Sequence, residues 1–395
     1  MYKAQTIQQH FQVSYQYPVI FSRNIFNPEN EELIGILRHG SAKAVLVIET
    51  AIRECHPGIL REINNYFKVH GLHCEVLVIP GGEAIKNEPA YIEEVLTFIH
   101  EHRIDRHSYL IAVGGGALLD AVGYAAAIAH RGIRLIRVPT TVLSQNDSGV
   151  GVKNSVNHFG KKNFLGTFSP PYAVINDAVF LESLDDRNWR SGIAEAVKVA
   201  LIKDKVFFDW ISANVEALNN RDMTLMEQLV FRCAELHIEH IGTAGDPFEK
   251  GSSRPLDFGH WAAHKLECLS GYQLLHGEAV AIGIALDTVY SRLTGRLNAM
   301  EVFRVLDCLK ALGFEIFHPM LLEEHSLEIH PQLFRGLEEF REHLGGELTI
   351  MLLEEIGKGE EVQEMSHTIL SEAVQYLLKS SSVFNDNPIL IQQSL

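Results

Sequence analysis

Short, uninterrupted runs of apolar residues are the feature that most constrains the fold of this chain. Four such runs stand in its first half, each followed by a glycine, proline or threonine loop: residues 44–49, 75–80, 109–116 and 134–141. Continuous apolar runs of this length are typical of strands buried on both faces of a sheet. Helical patterns, such as residues 57–70 and 90–102, separate the runs. The alternation predicts βαβ units and a mostly parallel sheet.

The apolar spacing changes near residue 186. Beyond it, helical spacing dominates, in residues 191–202, 225–241, 259–269 and 279–293. We therefore predict an α/β plus α architecture: a Rossmann-like parallel-sheet domain over residues 1–185 and an all-helical domain over residues 186–395. The segment past Lys379 is polar and rich in turn residues, and we expect it to be loosely ordered or packed at an edge.

Composition and charge exclude several classes of protein. The 395 residues carry 34 Lys and Arg against 50 Asp and Glu, a net charge of −16, which disfavours nucleic-acid binding. No apolar stretch reaches the roughly 18 to 20 residues of a membrane helix, and the N-terminus lacks the pattern of a signal peptide. Five scattered cysteines without a CxxC pair favour reduced thiols and a cytoplasmic location.

A glycine-rich turn, VGGGALLD, follows the third predicted strand and opens a helix. Such a turn lets backbone N–H groups approach a pyrophosphate, although it also serves tight strand–helix packing and is not the GxGxxG fingerprint. The loops at residues 80–87 and 139–141 follow other predicted strands, so the three loops should converge at one edge of the sheet. This predicts a dinucleotide crevice. Glu49, at the end of an earlier strand, is placed to bind a ribose hydroxyl, unless it is only a solvated strand-end carboxylate.

Six polar residues occur within or next to the apolar helical patterns of the second half. They are Glu195, Lys198, Asp257, His260, His264 and His276. His260 and His264 lie one turn apart on a single helical face. A carboxylate and two imidazoles suit Zn²⁺ with one coordination position left open for substrate. A lone buried histidine is usually a hydrogen-bonded core residue, but burying this many polar groups without a shared partner is costly. The pattern therefore predicts a metal site.

The segment between the two halves, residues 144–166, reads as a polar, glycine-bearing loop. It carries Lys153, Lys161 and Lys162 beside Asn163. These side chains could bind a phosphate as point charges and donors. The alternative is a solvated basic loop, which the strongly acidic composition of the chain disfavours.

Several motifs occur in the order found in one family. They are GGEAIK, GGGxxxDxxGxxAA, RGIRxIxVPTT, DSxVGxK, GKKN, AExxK, FGHxxxHxxE and LHGEAVAIG, between Val45 and Gly357. With them the chain resembles the 3-dehydroquinate synthase-like sugar phosphate cyclases.

The resemblance implies three groups of site residues. It implies a divalent metal, usually Zn²⁺ with Co²⁺ as an alternative, on Glu195, His260 and His276. It implies NAD on Glu49, Glu83, Lys86, Gly115, Gly116, Asp120, Thr140, Thr141, Lys153 and Lys162. It implies substrate contacts from Lys198, His264, Lys153, Asn163, Asp147 and Asp257. Arg131 matches an arginine that reaches the neighbouring subunit's phosphate, which implies a homodimer.

The reaction implied by the resemblance combines redox and aldol chemistry. NAD takes hydride from a ring carbinol, phosphate leaves by β-elimination, the hydride returns, and an intramolecular aldol addition closes a carbocycle. The metal acts as a Lewis acid and NAD is regenerated in each turnover.

Departures from the family pattern bear on the substrate. Dehydroquinate synthases bind a substrate carboxylate with a lysine and an arginine, and an alignment without gaps from Asp246 to His260 puts Glu239 and Ser253 at those places, with Arg254 one residue out of register. Asp257 replaces an expected asparagine. These differences resemble cyclases that act on sedoheptulose 7-phosphate, and His264 favours the 2-epi-valiolone type over the 2-epi-5-epi-valiolone type. We expect Arg341 and His343 to share the role of a C-terminal phosphate-binding lysine.

Three other functions remain open from the sequence. The first is a 3-dehydroquinate synthase acting on 3-deoxy-arabino-heptulosonate 7-phosphate. The second is an NAD- and metal-dependent polyol dehydrogenase, which would accumulate NADH. The third is a scaffold without activity, which the retained polar residues of the helical half disfavour.

Overall fold

The computed structural model describes residues 5–37, 43–243, 247–248, 256–324, 326–343 and 348–381. Its strands are β1 (Val19–Ser22), β2 (Ala44–Glu49), β3 (Cys74–Ile79), β4 (Tyr109–Gly114), β5 (Arg134–Pro139), β6 (Lys153–His158), β7 (Lys161–Phe168), β8 (Ala173–Asp177), β9 (Ile350–Glu355) and β10 (Lys358–Val362). Six of them form a parallel sheet in the order β1-β8-β5-β4-β2-β3. This confirms the predicted parallel sheet, to which the apolar runs contribute β2 to β5.

Helices cover both faces of this sheet. They are α1 (Glu32–Leu37), α2 (Thr50–Cys55), α3 (Ile59–Val69), α4 (Ala84–Asn87), α5 (Pro89–Glu101), α6 (Gly116–Ile128) and α7 (Val179–Glu182). Side chains of β2 alternate between two cores: Leu46 packs in the cluster that contains α3, and Val47 in the cluster that contains α5 and α6. This alternation explains why the strand is apolar at every position.

The second half is dominated by helices. They are α8 (Asp186–Lys203), α9 (Lys205–Ala213), α10 (Val215–Asn219), α11 (Met223–Thr243), α12 (His260–Leu269), α13 (His276–Leu293), α14 (Ala299–Ala311), α15 (Pro331–His343) and α16 (His367–Ser380). They share one large apolar core in which α13 packs against α8, α12, α14 and α16. None of the described helices is both long and apolar enough to cross a bilayer. All five cysteines are free.

Two expectations from the sequence need correction. The half beyond residue 185 is not all-helical, because β9 and β10 form a hairpin whose apolar strand β9 packs against α13. The expected loop at residues 144–166 contains the β6–β7 hairpin, closed by Phe159 and Gly160, both with positive φ as a two-residue hairpin turn requires. Strands β1 and β8 were not predicted. Residues 382–395, most of the tail expected to be loose, lie outside the described residues, and the division at residue 185 stays a prediction.

A buried arginine fixes the path between the sheet and the β6–β7 hairpin. Arg137, fully buried in β5, donates to the carbonyl oxygens of Gly149 (3.1 Å), Gly151 (2.8 Å) and Lys153 (2.8 Å) and to Asn154 Oδ1 (2.6 Å). Gly149 and Gly151 lie in the irregular segment before β6, whereas Lys153 and Asn154 are the first two residues of β6. The guanidinium therefore holds the hairpin in place beside the edge of the sheet.

We expect Arg137→Met to lower the free energy of unfolding by about 3 kcal/mol, because it leaves several buried acceptors without a donor. Urea denaturation followed by circular dichroism measures this. Arg134→Met is the control from the same strand: its partly exposed guanidinium bonds His107 O (3.1 Å), and its loss should cost under about 1 kcal/mol. Equal effects of the two substitutions would contradict the role given to Arg137.

Candidate metal centre and nucleotide crevice

The first feature of the site is a crevice at the carboxyl edge of the sheet. The chain runs outward from β2 to β3 and then returns to β4 on the other side of β2, so the strand order reverses between β2 and β4. Glu49 ends β2, and its Oε2 accepts from the Gly115 N–H (2.8 Å) just after β4. A Cβ on Gly81 would lie 1.9 Å from Glu49 Oε1, so any larger residue there would displace the Glu49 side chain. The loops therefore converge as predicted, at the place where open α/β sheets bind ligands.

The floor of this crevice carries a buried lysine network. Lys86 Nζ donates to Asp120 Oδ2 (2.8 Å), Ser155 Oγ (3.2 Å) and Asn163 Oδ1 (2.5 Å). The network joins α4 and α6 to both strands of the β6–β7 hairpin. Beside it, Asn157 donates to Glu83 Oε1 (2.6 Å).

Unsatisfied hydroxyls in the crevice fit a polar ligand such as a dinucleotide. Within the described residues, the buried Thr140 Oγ1 and Ser148 Oγ have no hydrogen-bond partner. A Cβ on Gly116 would lie 2.6 Å from Ser148 Oγ, so backbone and hydroxyl approach each other closely there. Thr141, which follows Thr140, is engaged with Ser144 Oγ (2.8 Å). Burial also raises the pKa of the Glu49 carboxyl, although the Gly115 N–H opposes this.

The second feature is the cluster of Glu195, His260 and His276. Glu195 Oε1 lies 3.1 Å from His276 Nε2 and 3.4 Å from His260 Nε2. The ligand atoms of the three residues all lie within 4.8 Å of one another. One carboxylate oxygen and two imidazole nitrogens converging in this way fit a divalent cation such as Zn²⁺. The structure thus brings together the three residues that the sequence predicts as ligands.

Each of the three ligands is positioned by a helix. Glu195 lies in the middle of α8 and is fully buried, whereas His260 and His276 are the first residues of α12 and α13. The start of α13 is tied to α8 because the N–H of the next residue, Gly277, donates to Ser191 Oγ (3.1 Å). Packing between these helices therefore sets the geometry of the cluster.

Both imidazoles are also oriented by contacts of Nδ1, the ring nitrogen that faces away from the cluster. His260 Nδ1 lies 3.2 Å from Phe258 O, which makes Nδ1 the protonated nitrogen and leaves Nε2 free to bind a metal. His276 Nδ1 lies 3.0 Å from Glu267 Oε2, and Lys162 Nζ lies 2.5 Å from the other oxygen of Glu267. Burial acts to lower the pKa of His276, but the Glu267 carboxylate raises it to about 9. A metal must displace that proton to bind.

Charged side chains continue outward from this cluster. We call the space lined by Lys198, Asp147 and His237 the cleft. Lys198 Nζ lies 2.5 Å from Glu195 Oε2 and 3.8 Å from Asp147 Oδ1, and His237 Nδ1 lies 2.8 Å from the same Asp147 oxygen. Burial acts to raise the pKa of Asp147, but Lys198 and His237 lower it to about 2. Burial acts to lower the pKa of Lys198, but Glu195 and Asp147 raise it above its usual value. Lys198 is therefore a cation at neutral pH, and Asp147 an anion.

His264 stands beside the cluster rather than in it. Its ring centroid is 5.5 Å from that of His260 and 6.0 Å from that of His276. Burial and the charge of Lys162 hold the pKa of His264 well below its usual value, so the ring is neutral. His264, Glu267 and His276 form a second group with metal-ligand spacing, but Lys162 already pairs with Glu267 there.

Other predicted residues lie at varied distances from this centre. Asp257 acts electrostatically on Lys198, and Lys153 is exposed at the start of β6. Arg131 lies beyond the far end of α6, about 20 Å along the chain from Gly116, so it is remote from the crevice of its own chain. Arg341 pairs with Glu338 on its own helix (2.7 Å). Ser253, Arg254 and the side chain of His343 lie outside the described residues.

Sequence reasoning missed two residues, Glu267 and His237. Glu267 stood in the quoted FGHxxxHxxE motif but received no role, although it orients His276. His237 lies on α11, which runs unbroken to Thr243 and turns His237, not Glu239, toward Asp147; Glu239 is exposed. Which residue of this helix corresponds to the carboxylate-binding lysine stays a prediction.

Comparison with known proteins identifies the family to which the chain belongs. Residues 76–191 match the family described as 3-dehydroquinate synthase N-terminal, and residues 192–331 match 3-dehydroquinate synthase C-terminal. A 3-dehydroquinate synthase of Nitrosospira multiformis is 34% identical over 359 residues, covering 91% of this chain and 94% of that protein.

Two solved structures are similar over nearly their whole length. The 2-epi-5-epi-valiolone synthase from Streptomyces hygroscopicus subsp. jinggangensis, with NAD⁺ and Zn²⁺ bound, has a TM-score of 0.86 and 28% identity, covering 95% of this chain and 100% of that chain. A 2-deoxy-scyllo-inosose synthase complexed with carbaglucose-6-phosphate, NAD⁺ and Co²⁺ has a TM-score of 0.75 and 22% identity, covering 91% and 96%. The second likeness concerns the fold alone.

We expect Glu267→Gln to weaken Zn²⁺ binding about ten- to hundredfold, because an amide no longer stabilises the orientation of His276 with a full negative charge. Competition with a chromophoric chelator measures the affinity. Glu339→Gln is the control, since Glu339 makes only an exposed ion pair with Lys265 (2.9 Å) near the same helix. Unchanged Zn²⁺ affinity in Glu267→Gln would show that the contact between Glu267 and His276 does not support metal binding.

Proposed function

Since the chain belongs to the 3-dehydroquinate synthase family, we propose that it is an NAD- and metal-dependent sugar phosphate cyclase acting on sedoheptulose 7-phosphate. Its product would be a C7 cyclitol of the 2-epi-valiolone type, formed with release of phosphate. The observation that carries this proposal is the convergence of Glu195, His260 and His276 on one point, with Lys198 beside them.

The residues fit two bound groups. Glu195, His260 and His276 would hold the metal, while Glu49, the Gly115 backbone and the Thr140 hydroxyl would contact NAD. When bound, NAD supplies a reversible hydride acceptor and the metal a Lewis acid.

The chain's own side chains would handle protons and orientation. Lys198, kept cationic by Glu195 and Asp147, can donate to a substrate hydroxyl and stabilise negative charge on it. Asp147, held in place by His237, can accept a hydrogen bond from a second hydroxyl. His264 is neutral and can donate to a phosphate oxygen. Burial of these groups limits the access of water to the reacting atoms.

The charges of the cleft support a substrate without an acid group. Glu195, Asp147 and Asp257 all act on the Lys198 ammonium, so three carboxylates already share this cation. Carboxylates accept hydrogen bonds from hydroxyls and repel a further anion. On α11, burial and Lys203 lower the pKa of His240 to about 4, so that ring adds no positive charge. Sedoheptulose 7-phosphate offers hydroxyls where a heptulosonate offers a carboxylate.

The second candidate function is 3-dehydroquinate synthase. The 34% identical relative from Nitrosospira multiformis carries that name, and the likeness covers almost all of both chains. On either substrate, we propose a homodimer in which Arg131 serves the partner's site, since Arg131 is exposed and remote from the crevice of its own chain.

Phosphate release from two substrates separates these candidates. Purified protein with NAD⁺ and Zn²⁺ should release phosphate from sedoheptulose 7-phosphate and not from 3-deoxy-arabino-heptulosonate 7-phosphate, because the second substrate would place an anion beside Asp147 and Asp257. NMR of the product should show a C7 cyclitol. Turnover of the heptulosonate alone would identify a 3-dehydroquinate synthase, and stoichiometric NADH without phosphate release would identify a dehydrogenase.

We expect Lys198→Met to lower kcat about 10²- to 10⁴-fold, because it removes the cation that assists proton transfer in the cleft. Steady-state phosphate release measures this. The matched control is Lys205→Met, an exposed lysine at the start of α9, which should retain kcat within about twofold. Full activity of Lys198→Met would remove Lys198 from the mechanism.

A further inference from the structure

Asp287 is a buried carboxylate for which the proposed chemistry has no use. It lies in α13, is fully buried, and accepts from Trp261 Nε1 (3.0 Å) and from the Gly259 N–H (3.0 Å). Among the described residues no cation pairs with it. Burial raises its pKa to about 7, although these two hydrogen bonds act against the rise.

A buried carboxylate at residue 287 lowers the free energy of unfolding. A carboxylate in an apolar core without a cation loses its hydration, and two neutral donors do not fully replace it. The surrounding core contains Phe258, Ile284 and Leu286, all buried. An apolar side chain would be expected at residue 287 on packing grounds alone, so the carboxylate calls for a reason other than stability.

The two donors bonded by Asp287 flank a metal-ligand candidate. Gly259 immediately precedes His260, and Trp261 immediately follows it. Gly259 has φ +76°, and a Cβ there would lie 2.5 Å from Ile284 N, so the entry to α12 runs against the backbone of α13. Asp287 thus ties both neighbours of His260 to the helix that begins with His276.

We propose that Asp287 is a positioning residue that aims His260 at Glu195 and His276 by fixing Gly259 and Trp261 to α13. The inference rests on the proposed metal site. A carboxylate suits this task because its two oxygens are both acceptors and meet two donors; an asparagine offers one acceptor and sets its own N–H groups against the second donor.

Substitutions on both sides of the contact test this inference in the full-length protein. Asp287→Asn should weaken Zn²⁺ binding about ten- to hundredfold, and Trp261→Phe should weaken it in the same direction. In the double variant the asparagine oxygen can accept from the Gly259 N–H while its amide faces a ring without a donor. Its affinity should therefore exceed the value expected from adding the two single losses.

Two readouts separate positioning from general loss of stability. Zn²⁺ affinity is measured by chelator competition, and the visible spectrum of the Co²⁺-loaded protein reports coordination geometry. The matched control is Trp189→Phe, which removes another buried indole hydrogen bond, to Leu218 O (2.9 Å), in the same core. This control should keep the Zn²⁺ affinity and the Co²⁺ spectrum of the original protein.

The outcomes are distinct. Weaker Zn²⁺ binding with an altered Co²⁺ spectrum in Asp287→Asn and Trp261→Phe, but not in Trp189→Phe, supports the inference. Unchanged binding in Asp287→Asn, or an equal loss in Trp189→Phe, overturns it while leaving the proposed function intact. If the unsubstituted protein itself binds no Zn²⁺, both the proposed function and the inference fail.

Discussion

The carboxylate of Glu195, buried where three helices meet, is the group on which the arrangement of the site depends. Burial acts to raise its pKa, but the charge of Lys198 and the adjacent His260 ring hold that pKa well below its usual range. An anion in this position needs positive or polarised partners, and the sequence supplies them on α8, α12 and α13. The helical half therefore packs its core around one charged group, a costly arrangement that has a clear purpose if the group binds a cation.

The site also joins the two halves of the chain. Lys162 from the β6–β7 hairpin reaches Glu267 on α12, and Asp147 from the loop after β5 lies beside Lys198 on α8. Arg137 in turn holds the backbone that leads into the hairpin. The predicted nucleotide crevice and the candidate metal cluster are thus linked by ion pairs, and a displacement of the hairpin would disturb both.

Much of this could be predicted from the sequence. Buried strands and amphipathic helices have strong periodic signals, so β2 to β5 and the main helices were found, and glycine-rich strand ends pointed to the crevice. The two hairpins were not predicted, because β6 is largely polar and because the four apolar residues of β9 lie in a half of the chain where helical spacing dominates. The orienting roles of Glu267 and His237 were not predicted, because such a role depends on which side chains of a helix point toward the site. On the same helix, Glu239 is exposed whereas His237 contacts Asp147.

Anomalous diffraction at the zinc absorption edge, from crystals of the protein grown with Zn²⁺, tests the central claim most directly. The account predicts a single ion bonded to Glu195 Oε1 and to the Nε2 atoms of His260 and His276, at about 2.0 to 2.2 Å. An ion bound instead by His264, Glu267 and His276, or no ion near Glu195, would contradict it.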